Sequence, residues 1–316
     1  MTFTDAPAQD AHGQEHAPEA GDPAAQGYPA EEAGHGGGLD FSELPGFIEG
    51  HIADGRYIEF AGMHLDLSAI QLPSFYLGPI YVDLSPTRHM VFMILAALLC
   101  MAVFIPLARA ARRRDVGRAP TGISNAMEAL VLYFRDEVVR ANIGKGADRY
   151  TPFILTLFFF ILFMNLLGLT PFGVTATANL SVTAALAIIA FLVTEVTGMR
   201  ELGAAGYART IFYVPHGLPG FLKPVMLLIM TPVEFLGKLT KPFALAVRLF
   251  ANMFAGHTLV LAVLGLIFVY QGLAVAGGSV LIASIIMILE VFVAFLQAYI
   301  FAMLTSVFIG LIRHAH

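Results

Sequence analysis

The chain has 316 residues, of which 57% are hydrophobic and only 13% charged, with a mean hydropathy of +0.74. Soluble globular domains carry about 25% charge, so the composition excludes that class and points to a polytopic membrane protein. The formal net charge of −5 hides an asymmetry: 11 of the 23 acidic residues lie at or before Asp54, where there is no Lys or Arg.

Residues 1–40 are rich in Ala, Gly, Pro, Glu and His. Such a segment cannot bury enough apolar surface to offset its chain entropy, and a disordered acidic tail is expected. His12, His16 and His35 are spaced too irregularly for a metal site, and a solvated tail is the simpler reading. No basic and then apolar leader is present at the start, so no cleavable signal peptide is expected. Residues 41–86 form a second segment, outside the membrane. Apolar and polar side chains alternate over 57–67 and 70–81, with Pro73 and Gly78 as breaks, which predicts a small hairpin or cap.

The membrane domain is expected over 87–316. Residues 89–110 are apolar and long enough to cross. Arg112, Arg113, Arg114 and Arg118 follow directly, which puts that end in the cytoplasm and the amino terminus outside. The only cysteine, Cys100, falls inside this span, so no disulfide framework is possible. In 123–140, Ile123, Met127, Leu130, Val131, Phe134 and Val138 recur at helical spacing while Glu128, Arg135, Asp136, Glu137 and Arg140 take other faces. An amphipathic helix on the inner surface follows. Spans are expected at 151–170 and 180–197, joined by a loop without basic residues. Two long apolar segments, 224–270 and 279–313, close the chain around the glycine-rich QGLAVAGGS. The fold expected is therefore all-α, with five crossings and an amphipathic surface helix.

The last two helices are too long to stand upright. Counted from Pro224, Arg248 lies 24 residues on, about 36 Å at 1.5 Å per residue, against a hydrocarbon core of about 30 Å. A strong tilt keeps Arg248 at depth. A charge there is costly and by default marks a functional site with a partner. A turn centred near residue 272 sets Arg248 opposite Gln297 and His257 opposite Glu290 in one antiparallel register. Lys241 and Asn252 share the face of Arg248, whereas His257 points nearly opposite, which suggests two tasks and not one cluster.

At these residues the chain resembles subunit a of the F-type ATP synthase, the membrane stator subunit that conducts protons past the rotating c-ring. The resemblance covers roughly residues 85–316. It is carried by RLFANMFAGH at 248–257 and EVFVAFLQAYIF at 290–301, supported by GISNAMEALVLYFRDEV at 122–138, FMNLLGLTP at 163–171 and TPVEFLGKLTKP at 231–242. It implies that Arg248 is the family's essential arginine, facing the c-ring carboxylate. Arginine stays protonated, so its part is to promote proton release from an approaching acid by opposite charge and to separate two access paths. The alternative is a snorkelling arginine, which fits poorly because no helix end is near.

The resemblance also implies that Gln297 is the glutamine opposite this arginine, holding it without cancelling its charge, or else a glutamine satisfied by a neighbouring backbone. His257 and Glu290 match a titratable pair of the outer half-channel, with a purely structural pair as the alternative. Glu234 matches a glutamate of the inner half-channel, although Lys238 four residues on could make it an ordinary helix ion pair. Asn252 and Asn165 complete the implied proton path. The acidic position found three residues after that asparagine in some members is Gly168 here, and Glu195 reads as interfacial.

Implied partners are c-ring subunits, the peripheral-stalk subunit b and the lipid bilayer of a bacterial-type inner membrane, with the carboxyl terminus cytoplasmic. No cofactor, metal, nucleic acid or small-molecule substrate beyond the transported ion is implied. The chain has no GxxxxGK[S/T] phosphate loop, no HExxH and no GxSxG, so nucleotide chemistry is expected on partner subunits. The competing reading is a secondary cation or proton transporter with a buried Arg–Glu site, which commonly shows internal repeats; none is evident.

Overall fold

The computed structural model describes residues 41–46, 48, 55, 57–60, 63–67, 73–77, 80–83, 85–113, 121–170, 175–212 and 219–313. The tail expected at 1–40 lies outside them. Two antiparallel ribbons occupy the stretch of alternating pattern: β1 (Tyr57–Phe60) pairs with β2 (Met63–Asp66), and β3 (Ser74–Leu77) pairs with β4 (Ile80–Asp83).

Every regular element described after them is a helix. Among the described residues, five helices are long and apolar enough to cross a membrane: α1 (Arg88–Arg112), α3 (Thr151–Gly168), α4 (Leu180–Ile211), α5 (Lys223–Tyr270) and α6 (Leu273–Arg313). The amphipathic α2 (Ile123–Tyr133) continues into a π-helical stretch, Phe134–Arg140, and a last turn, Ala141–Ile143. The all-α membrane domain expected from hydropathy is the one observed.

α3 is the post of the bundle. More than half of it is buried inside the protein, against about a tenth of α1. Both are apolar, so a span's composition does not say which solvent, lipid or protein, it faces. Ile154, Phe158, Phe159, Ile161 and Met164 form the α3 share of the core, meeting Phe134 from the π-helical stretch and Phe301 from α6. The Phe134 and Phe158 ring centroids are 4.3 Å apart, and Phe104 of α1 sits 4.5 Å from Phe159. Aromatic pairs at such distances add to area burial.

The second half of the amphipathic helix does not merely rest on a surface. Phe134, Val138, Val139 and Ile143 are buried, whereas Ile123 at the other end is exposed. Ser306 of α6 donates to the Val138 carbonyl at 3.1 Å, and Arg313 donates to the Lys145 carbonyl at 2.7 Å. The outward face carries Arg140 bridging Asp136 and Asp148, each at 2.8 Å. Hydrogen bonding from Arg140 holds the Asp148 carboxyl below the ordinary aspartate range, and Arg135 does the same for Asp136. Their stabilisation is thus present above that range and fades as pH falls through the lowered values. These groups are exposed, so the effect is small.

Two boundaries differ from expectation. The glycine-rich QGLAVAGGS was expected to link the last two spans, but α6 already begins at Leu273 and the reversal is confined to Gln271 and Gly272, with Gln271 left-handed at φ 45°. In lipid the backbone has no water to bond to, and helix is the cheapest state even for Gly277 and Gly278. Likewise α4 runs on past residue 197, but through a break at Gly203, φ 69° and ψ 166°. That conformation is essentially restricted to glycine. At 48 and 41 residues, α5 and α6 would each exceed about 60 Å if straight, so each must slant or extend far beyond a hydrocarbon core of about 30 Å.

The Gly203 break yields a clean test of backbone strain. A Cβ there would meet nothing within 4 Å, so Gly203→Ala is expected to cost about 1–3 kcal/mol from backbone conformation alone. Thermal unfolding of the detergent-solubilised protein should show the loss, and an unchanged midpoint would mean the break is not required.

Candidate functional site

The α5–α6 hairpin fixes the site. Leu245, Ala246, Leu249 and Met253 turn inward from α5 and are buried. Arg248 is on the other side, exposed, with Ala244, Ala251 and Asn252 also exposed around it. Neither Arg248 nor Asn252 has a side-chain hydrogen bond or ion pair among the described residues. The side chains one turn to either side of Arg248 on this face, Ala244 and Ala251, are apolar and exposed with it. Arg248 is thus an unpaired cation on an outward apolar face.

Gln297 is buried on α6 and donates its Nε2 to the backbone carbonyl of Arg248 at 2.8 Å. The register deduced from the turn therefore brings 248 and 297 together. The contact is to the main chain, not the guanidinium, so Gln297 anchors the turn that carries Arg248 and leaves its charge untouched.

Toward the hairpin turn lies a second polar group. Asn165 of α3 is fully buried; its Oδ1 accepts from Thr177 at 2.7 Å and its Nδ2 reaches the Ala294 carbonyl of α6 at 3.4 Å. His257 bonds through Nε2 to the Thr175 hydroxyl. Glu290 is buried, and both of its carboxylate oxygens lack a hydrogen-bond partner among the described residues. Such a group in an interior calls for a proton, a water or a chemical role. Its carboxylate abuts Gly256, and a Cβ built there would sit 3.2 Å from the Glu290 Cγ. The expected contact between His257 and Glu290 is thus not a hydrogen bond: α6 presents Glu290 one residue away, and one residue is a rotation of about 100° on a helix.

Thr175 and Thr177 were not anticipated. Both are buried at 1% exposure or less, in the short turn Ala176–Ala178 and just before it. The hydroxyl-rich TATAN between two apolar spans is the signal that could have revealed them. Gly168 matters for the same reason: a Cβ there would collide with Thr175.

On the opposite side of Arg248, a cavity of about 140 Å³ opens between α4, α5 and α6, lined by Glu195, Thr210, Glu234, Lys238 and Lys241. Glu234 is exposed and has no hydrogen-bond or ion-pair partner among the described residues. Lys238 does not pair with it. Instead it meets Glu195 at 3.4 Å, and Glu195 is buried within the protein.

A family model described as ATP synthase A chain matches residues 90–310. Curated relatives described as ATP synthase subunit a include one from Anaeromyxobacter dehalogenans (strain 2CP-C), 46% identical over 97% of this chain and 81% of its own length. Another, from Chloroherpeton thalassium, is 44% identical over 83% of this chain and 74% of its own. One from Myxococcus xanthus is 50% identical over 73% of each.

The register is open to direct measurement. In a chain whose Cys100 is replaced by alanine, cysteines introduced by Gly256→Cys and Glu290→Cys should form a disulfide under mild oxidation, as the short approach allows. Two persistently free thiols would reject this packing of α5 on α6.

Proposed function

Because the chain belongs to the ATP synthase subunit a family, we propose that it is the proton-translocating stator subunit, with two half-channels that meet a c-ring carboxylate on either side of Arg248. The observation that carries this reading is the unpaired Arg248 on an exposed apolar face. Facing lipid alone, a guanidinium would be costly at depth. An acid on another chain, brought against the same face, removes that cost. The guanidinium lowers the proton affinity of such an acid and so promotes release, and it never gives up its own proton.

Order along α5 supports two separate paths. Glu234 lies 14 residues before Arg248 and His257 nine after, about 21 Å and 13 Å along the axis. Glu234 with its cavity is the inner path. His257, Glu290 and Asn165 form the outer one, joined by Thr175 and Thr177. Asn252, one turn beyond Arg248 on the exposed face, lies where a proton would be handed to the ring. Gln297 keeps the arginine's turn in register and leaves the charge free.

Partners follow from the same surfaces. The exposed face of α5 bearing Ala244, Arg248, Ala251 and Asn252 is assigned to a c-ring, and the peripheral-stalk subunit b is the expected companion in the membrane. The basic residues Arg112 and Arg113 at the end of α1 and Arg313 at the end of α6 favour a bacterial-type inner membrane with those ends cytoplasmic and the amino terminus outside.

Replacing Arg248 by alanine should reduce ATP-driven proton pumping by inverted vesicles by about one to three orders of magnitude, the span by which a neighbouring arginine shifts a carboxylic acid. Quenching of a pH-sensitive dye, normalised to assembled complex, measures it. Full pumping by Arg248→Ala would refute the assignment.

A further inference from the structure

Lys238 stands four residues after Glu234, one turn along α5, the spacing at which a glutamate and a following lysine normally close an ion pair. Here the lysine is drawn the other way. Its ammonium lies 3.4 Å from Glu195 Oε2, 3.2 Å from the Thr210 hydroxyl and 4.3 Å from the centre of the Tyr207 ring. Tyr207 donates its hydroxyl to the same Glu195 oxygen. The Lys238 and Glu195 side chains are only 13% and 12% exposed, so the pair is enclosed and not a passing surface contact.

This arrangement exists because of the break at Gly203. On a straight helix Tyr207 would sit about 18 Å beyond Glu195. The glycine turns the end of α4 so that Tyr207 and Thr210 come back beside Glu195 and Lys238. The other cation on the cavity, Lys241, lies 5.3 Å from the centre of the Phe308 ring of α6. Both lysines around Glu234 are therefore occupied elsewhere.

We propose that Glu195, together with Tyr207 and Thr210, is a positioning device that holds Lys238 away from Glu234, so that Glu234 stays free to take up and release the transported proton. The inference rests on the assignment of Glu234 to the inner path. A carboxylate paired with a lysine is held in its charged form and carries no proton onward. With Lys238 held by α4, Glu234 keeps a free carboxyl on a cavity wide enough for water.

Glu195 does not touch the proton in this scheme. It acts through Lys238, and removing the lysine should make it dispensable. The whole complex in inverted vesicles provides the test, with pumping normalised to assembled complex. E195Q should lower the rate about tenfold, one unit of proton affinity at Glu234. The double variant E195Q/K238Q should return to within about twofold of the unaltered complex, a rescue that a merely structural role for Glu195 would not give. A double variant as slow as E195Q, or an E195Q that pumps normally, overturns the proposal. If E195Q fails to assemble, Y207F removes only one hydroxyl; it should be slowed and be rescued by K238Q, and an unaffected Y207F overturns the proposal equally. E234Q separates the two levels. Full pumping by E234Q refutes the inner-path role and the positioning role with it, whereas an impaired E234Q beside a normal E195Q refutes only the latter.

Discussion

The hydrogen bond from the Gln297 amide to the Arg248 carbonyl is the constraint on which the rest of this membrane domain depends. Two helices of 48 and 41 residues pack against each other, and their apolar surfaces would accept several registers, because lipid tails are as apolar as leucine. A buried amide does not accept several registers. Left unpaired it would pay its desolvation, so the helices settle where it is satisfied. That choice sets the rotation of α5: Leu245, Leu249 and Met253 face inward, and Arg248 has no option but to face out.

The same logic operates on the side toward the hairpin turn. Asn165 uses both ends of its amide, accepting from Thr177 and reaching Ala294, and so ties α3 to the loop after it and to α6. Polar side chains supply the specificity that apolar surface cannot, and they do so at the depth where the proposed chemistry occurs. Peripheral α1 instead meets α3 through aromatic packing of Phe104 on Phe159.

Much of this was legible in the sequence. Hydropathy and the placement of Arg residues marked five crossings, and the turn position alone set 248 against 297. What was not legible shares a physical cause. QGLAVAGGS looks like a linker because glycine is a poor helix former in water, but lipid removes water as a competitor for its backbone. Glu290 came to rest against Gly256 and not in a bond with His257, since counting residues from a turn cannot resolve one residue of rotation. Lys238 had a local partner in Glu234 and a tertiary one in Glu195, 43 residues away, and only the folded break at Gly203 decides between them. Thr175 and Thr177 were hidden because a loop's hydroxyls acquire a role only from the helices that enclose them.

Gly168 and Thr175 show how such a site constrains change. The threonine fills the space that a side chain at 168 would need, and the same threonine bonds His257. Positions 168, 175 and 257 therefore share one volume and one set of donors. Any side chain at 168 displaces the hydroxyl, and the histidine then has to find a new companion, for which the newcomer itself is the nearest candidate. Substitutions here are epistatic: a polar residue at 168 becomes acceptable together with a smaller one at 175, and neither change can be judged alone. The wiring of the proposed outer path can thus be redrawn by exchanging volume between a helix and a loop, without moving the helices at all.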